Sequence, residues 1–202
     1  MSHSTTARGW RSDTPLLPDA TGDQPPLRLR TLRLELVAAT VDLARAELDD
    51  VPALARLLDA HVAAEWPPPL NDRDSQSWTL RYLEQHPAAV GWCMWYFLLR
   101  GDRSAVGVGG FKGLPSADGT VEVGYSVLEA HQRRGYASEA VEALVAWAFG
   151  HPEVTQVIAE TYPELVASVG VLGKTGFRFI GAGSEERVIR FERRRNAVAD
   201  QP

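Results

Sequence analysis

Gln132-Arg133-Arg134-Gly135-Tyr136-Ala137-Ser138 stands between two runs of different period. Before it, Val121-Glu122-Val123-Gly124-Tyr125-Ser126-Val127-Leu128 reads as a strand. After it, Ala140, Val141, Leu144, Val145, Trp147, Ala148 and Phe149 mark a helix with a broad apolar face. A strand that enters a helix this way leaves the first N–H groups of the helix unpaired and aimed at the loop, at the positive end of the helix dipole. That is an anion site. Gly135 and Ala137 let an anion approach the backbone, and Arg133 and Arg134 add donors suited to phosphate oxygens. A diphosphate-bearing ligand is the natural occupant. The stretch contains neither G-x-G-x-x-G nor G-x-x-x-x-G-K-[ST], so it is neither a dinucleotide fingerprint nor a P-loop. Taken alone, Q-x-x-G-x-A also fits a polar turn that caps a helix.

Upstream, the apolar run Trp92 to Arg100 reads as a central strand, and Ala105 to Phe111 as a second, with Gly101-Asp102-Arg103-Ser104 as the turn. Ser116-Ala117-Asp118-Gly119 is another turn, so three successive strands form an antiparallel meander. Earlier still, Leu27 to Leu36 alternates as one half-buried strand. Asp49 or Asp50 caps a helix carrying Leu54, Leu57, Leu58 and Val62, which Pro67-Pro68-Pro69 ends, and Asp74 to Gln85 is a second helix with Trp78, Tyr82 and Leu83 as its inward candidates. Downstream, Gly150 and Pro152 close the long helix. Val154 to Thr161 is a strand, Glu164 to Thr175 a helix, and Phe177 to Ile180 and Arg187 to Arg193 are strands.

Residues 1–26, punctuated by Pro15, Pro18, Pro25 and Pro26, are too polar to offset their ordering entropy and are expected to form a flexible arm. Residues 196–202 are expected to form a flexible tail, leaving one domain over 27–195. The 202 residues suffice for one sizeable core. A net charge of −5 argues against a nucleic-acid binder driven by bulk charge. The single cysteine, Cys93, excludes an internal disulfide and a thiol metal cluster, and its apolar flanks favour a core thiol. With no signal-peptide layout and no apolar run long enough to span a bilayer, a cytoplasmic protein without membrane attachment is expected. His61, His86, His131 and His151 lack metal-like spacing, and no metal is expected.

The strand, loop and helix over Val121–Ala140 resemble the donor-binding core of the GNAT N-acetyltransferases. More narrowly, Ser168, Val171-Leu172, Lys174 and Gly176-Phe177 resemble the N-x-x-S…V-L-x-K-x-G-F segment of the RimJ/RimL-like branch, which acetylates the N-termini of ribosomal proteins. The resemblance spans roughly Leu27 to Arg193. It implies an α/β (α+β) GNAT fold: a mixed, mostly antiparallel sheet of about seven strands, about four flanking helices, and a V-shaped splay between two central parallel strands. It implies acetyl-CoA as acyl donor and a primary amine, on a protein N-terminus or a small molecule, as acceptor. Main-chain groups of Tyr125, Ser126 and Val127 would meet pantetheine and the thioester carbonyl. Gln132, Arg133, Arg134, Gly135, Tyr136, Ala137 and Ser138 would hold the diphosphate, mainly by N–H groups. The chain departs from the pattern at Leu165, where the branch has Asn, and at Leu172, where many relatives place a thiolate-protonating Tyr. Homodimers are common among such enzymes, and no residue here compels one.

An amine attacks a thioester only when neutral, whereas a free α-amine titrates near ~8 and a lysine near ~10.4. A base is therefore useful. Glu122, on the strand leading to the carbonyl-binding backbone, is the first candidate, with a solvent-facing strand carboxylate as the competing reading. Glu160 is a second candidate. Ser168 is the candidate general acid, against a hydroxyl that merely bonds back within its helix. Trp66, Trp78, Trp92 and Trp95 are more simply core than acceptor pocket, with Trp66 the best exception. Two other functions fit the same residues: a non-catalytic acyl-CoA sensor, and an acyltransferase that uses a longer acyl-CoA.

Overall fold

The computed structural model describes residues 26–195. The arm and tail readings for 1–25 and 196–202 fall outside the described residues. The strands are β1 (Arg28–Arg30), β2 (Leu34–Ala38), β3 (Met94–Leu99), β4 (Ala105–Phe111), β5 (Thr120–Val127), β6 (Gln156–Thr161), β7 (Arg178–Ala182) and β8 (Ile189–Arg194). The helices are α1 (Val41–Asp49), α2 (Val51–Leu58), α3 (Arg73–Gln85), α4 (Tyr136–Phe149) and α5 (Val166–Lys174). The strands make one sheet, ordered β1-β2-β3-β4-β5-β6-β8-β7. Every neighbouring pair is antiparallel except β5–β6. The mixed, mostly antiparallel sheet between helices is thus as expected, with one strand and one helix more than the sequence suggested.

The extra strand comes from Leu27 to Leu36, which is a hairpin and not a single strand. The Thr31 hydroxyl accepts from the Leu34 N–H at 3.0 Å, Thr31 N–H donates to the Leu34 carbonyl, and Leu32 at the tip is 85% exposed. The alternation survives the turn by accident of composition. The extra helix is α1. Thr40 caps it, accepting from Leu43 N–H, and Asp50 both ends α1 and caps α2 by accepting from Ala53 N–H. α2 stops at Leu58, where Asp59 takes a left-handed conformation, well before the prolines. Leu83 faces inward as expected, but Trp78 faces outward, 39% exposed, because α3 buries Gln76 and Thr79 beside Leu83; the Trp78 ring stacks on Tyr82, which stacks on His86.

Successive residues of β3 show what covers each face of the sheet. Tyr96 donates its hydroxyl to Glu47 of α1 at 3.0 Å, while Trp95 meets Trp147 of α4 edge-on with ring centroids 5.4 Å apart. So α1 lies on one face and α4 on the other. Phe97 packs over β4, where a Cβ at Gly109 would stand 2.6 Å from its ring. On the β2 side, buried Glu35 is paired with Arg28, Arg30 and Arg103. Burial pushes its carboxyl up, but the Arg103 bond and the other guanidinium groups outweigh that and hold it below the usual range.

Candidate active site

The site begins where β5 and β6 part. They pair in parallel only at Thr120↔Gln156, Val121↔Val157 and Glu122↔Ile158, although β5 continues to Val127 and β6 to Thr161. On its other side β5 stays bonded to β4: the Glu122 carbonyl accepts from Lys112 N–H, and Leu128 N–H donates to the Val106 carbonyl. Backbone groups alternate direction along a strand. The main chain of Val123, Tyr125 and Val127 therefore faces the widening gap. This is the V-shaped splay expected of the two central parallel strands.

At the far end of β5 the chain makes a short 3-10 turn over Glu129–His131 and enters the loop. Gln132 donates its side-chain amide to the Val127 carbonyl at 3.0 Å, which bends the loop back over the strand end. Arg133 and Gly135 both adopt positive φ, +60° and +82°, and Gly135 opens α4 with no side-chain cap. The left-handed conformation suits glycine alone among residues that leave the backbone bare. The N–H groups of Arg133 through Ser138 have no acceptor among the described residues. Gln132, Arg133, Arg134 and Gly135 are exposed, with Tyr136, Ala137 and Ser138 half-buried behind them. Tyr125, Val127 and the loop residues Gln132 to Ser138 thus lie along one path from the gap beside β5 to the start of α4, whereas Ser126, paired with Val108, turns its main chain to β4 and not to the gap.

The two catalytic candidates border that path from different elements. Glu122 occupies the last paired position before the strands diverge, on the face shared with Gly124 and Ser126, and forms an ion pair with Lys112. Ser168 lies in the first turn of α5, on the opposite face. The Tyr125 hydroxyl lies 3.2 Å from its Oγ and 3.2 Å from its carbonyl oxygen. Burial, against the lowering effect of the Ser168 bond, pushes the Tyr125 phenol up to about 12.

Other candidates fall away. Glu160 accepts from Ser184 N–H and hydroxyl and from the Arg190 guanidinium, bonds that overcome the raising effect of burial and hold its carboxyl below the usual range. A carboxylate so saturated is a poor base. Trp66 is core: it is 7% exposed and its indole N–H donates to Glu47 at 3.0 Å. Trp92 and Trp95 are core as well. Cys93 is buried and its thiol is pushed up to about 12 by burial, which suits packing and not nucleophilic attack. Leu172 is fully buried, whereas Leu165 is 42% exposed at the start of α5.

Sequence reasoning missed two residues at the loop. Arg33, at the β1–β2 turn, and Glu139, in the first turn of α4, are joined by an ion pair of 2.7 Å beside Gly135. The distant Arg33 carries no local signal, although Glu139 in a first helical turn is itself a recognisable pattern.

No helix among the described residues is long and apolar enough to cross a membrane. Comparison with known proteins places the site in context. The acetyltransferase (GNAT) domain model matches residues 41–178. YjdG, an uncharacterized N-acetyltransferase of Bacillus subtilis (strain 168), is 26% identical over 149 residues, covering 74% of this chain and 88% of that protein. Among solved structures, the ribosomal-protein-S5-alanine acetyltransferase of Vibrio fischeri superposes with a TM-score of 0.58 at 16% identity, covering 85% of this chain and 98% of that one. A ribosomal L7/L12 α-N-protein acetyltransferase, RimL, solved in complex with coenzyme A, gives 0.58 at 18% identity, over 81% and 95% of the two chains. At those identities the structures speak for the fold.

Proposed function

Given that the chain belongs to the acetyltransferase (GNAT) domain family, we propose that it moves an acetyl group from acetyl-CoA to a primary amine by direct attack in a ternary complex. One observation carries the donor reading: the gap between β5 and β6 runs into a loop whose N–H groups, from Arg133 to Ser138, are unpaired among the described residues. Such a row of preorganised donors at a helix start suits a diphosphate. The gap beside Val123, Tyr125 and Val127 offers strand backbone to an extended pantetheine arm. The RimL relative, of the same fold, was solved with coenzyme A.

In this reading the acceptor nitrogen attacks the thioester carbonyl carbon. A C–N bond forms, the C–S bond breaks, and a β5 backbone N–H near Val127 meets the oxyanion. Glu122 takes the proton from the amine. The departing thiolate takes a proton from the Ser168 hydroxyl as the Tyr125 hydroxyl passes its own to the seryl oxygen, and solvent water restores the phenol proton. A protein N-terminus or a small amine is the acceptor class.

Isothermal titration with acetyl-CoA and with CoA, on the natural chain and on Gly135→Trp, tests the donor site. Micromolar binding that the substitution abolishes is the expected result, and would be followed by screening peptide N-termini and amines for CoA release. Absence of binding to the natural chain would defeat the reading. Binding without turnover on any amine would favour a sensor over an enzyme.

A further inference from the structure

We propose that Arg33, on the turn between β1 and β2, is a positioning residue of the donor site, aiming the diphosphate-binding N–H groups and cancelling the Glu139 carboxylate beside them. The inference rests on the donor reading above. Four contacts define the role. Arg33 N–H donates to Glu139 Oε1 at 2.7 Å, and its Nε donates to Glu139 Oε2 at 2.7 Å. Its Nη1 donates to the Arg134 carbonyl at 2.9 Å. Its guanidinium carbon lies 4.8 Å from the centre of the Tyr136 ring.

The bond to the Arg134 carbonyl matters because the peptide group is planar and trans, so its C=O and N–H point in opposite directions. Holding the Arg134 carbonyl toward Arg33 turns the Gly135 N–H away from Arg33, out of the loop. A glycine in left-handed conformation has wide freedom, and without this grip the peptide plane before it could rotate. The stacking on Tyr136 fixes the next residue, the first of α4.

The pairing with Glu139 addresses charge. Glu139 stands in the first turn of α4, where a bound diphosphate would meet a like charge. Its carboxylate is 16% exposed and is taken up by Arg33 and by the Thr31 hydroxyl, at 2.6 Å. The hairpin that supplies both is itself held by Arg100, whose Nη1 donates to the Thr31 and Leu32 carbonyls. A segment about a hundred residues upstream thereby sets the geometry of the donor loop.

Titration of CoA and of pantetheine, which lacks the diphosphate, into the natural chain, Arg33→Ala and Arg33→Lys separates the outcomes. Arg33→Ala is expected to weaken CoA about tenfold or more and to leave pantetheine unchanged. Arg33→Lys keeps the charge, but its single ammonium cannot grip Glu139 and Arg134 together, so an intermediate loss is expected. Equal CoA affinity in all three proteins would overturn the proposal while leaving the donor reading intact. So would an equal loss for both ligands, which a merely structural role produces. If Arg33→Ala does not fold, Arg33→Lys decides alone, and natural affinity for CoA in that variant overturns the two-point grip. No CoA binding by the natural chain would remove the donor reading, and this proposal with it.

Discussion

The Tyr125 hydroxyl, 3.2 Å from the Ser168 Oγ, joins β5 to the first turn of α5 beside the gap where β5 and β6 part. The half-buried Tyr125 phenol, pushed up to about 12 by burial, keeps its proton near neutrality. Its one O–H can turn to the Ser168 carbonyl or to Oγ, and when it turns to Oγ the seryl O–H is free to point toward a departing thiolate. Leu172, on the same helix, is fully buried and carries no proton to give, so the proposed general acid rests on this hydroxyl pair. Ser168→Ala is expected to lower kcat by about 10²-fold at most, with little change in KM for the donor, and Tyr125→Phe by less. Steady-state kinetics at fixed acceptor checks this. Full kcat in Ser168→Ala would remove Ser168 from the chemistry.

Glu122 on β5 forms an ion pair with Lys112, just past the end of β4, and an acceptor ammonium would compete with Lys112 for the same carboxylate. If Glu122 takes the amine proton, the need for it fades where the acceptor arrives neutral, above ~8 for an α-amine. Glu122→Gln is then expected to lower kcat about 10²-fold near neutrality and progressively less at higher pH. Rates of CoA release measured across that range provide the check. A loss that stays constant with pH would leave Glu122 a structural partner of Lys112.

Glu47 on α1 is buried and accepts from Trp66 Nε1, Asn71 Nδ2 and the Tyr96 hydroxyl, so it pins the chain between α2 and α3 to the core. Burial raises its carboxyl above the ordinary value of 4.5, and the three bonds offset this only in part. A raised folded-state value contributes stability that is fully present below 4.5 and is lost as pH climbs through the folded value. Glu47→Gln keeps an oxygen for Trp66 and Asn71 and should flatten that decline, gaining on the natural protein as pH rises. Glu47→Leu strands three buried donors and should cost about 3 kcal/mol or more. Urea unfolding at several pH values above 4.5 distinguishes them, and parallel curves for the natural chain and Glu47→Gln would refute the titration argument.

The loop from Gln132 to Ser138 was legible because its signal is local: a period change, a glycine and two arginines in one short run. The β3–β5 meander was legible for the same reason, since its turns are marked by Gly, Asp and Ser. What was missed depends on partners distant in sequence or on which way a helix is turned. Arg33 and Glu139 meet between the β1–β2 turn and the start of α4, and neither residue announces the other. Trp66 read as a loop aromatic near an acceptor because nothing local shows that Glu47 awaits its indole N–H. Trp78 shows the limit of periodicity: helical spacing permits more than one inward face, and the packing of Gln76, Thr79 and Leu83 chose another. α1 escaped because Ala44 and Ala46 carry little apolar weight, although Thr40 caps it as a helix start should.

α5 carries Ser168 yet is poorly built as a helix. Gly170 and Gly173 occupy two of its nine residues, and Leu165 at its start makes no side-chain cap. Its hold on the domain comes from buried Leu172, from half-buried Val169 and Val171, and from the Tyr125 hydroxyl. A Cβ at Gly170 or at Gly173 would meet nothing within 4 Å, and neither has positive φ. Alanine at each should therefore stabilise the chain by about 0.5–1 kcal/mol through lower unfolded-state entropy and better helix propensity. In a protein of this size that is a rise in Tm of roughly 2–4 °C per kcal/mol, readable by calorimetry. If Gly170→Ala with Gly173→Ala leaves Tm unchanged, α5 melts before the main transition, because a helix already unfolded cannot transmit its gain to the rest. A higher Tm with a lower kcat would show instead that the glycines keep α5 loose enough for Ser168 to move during turnover.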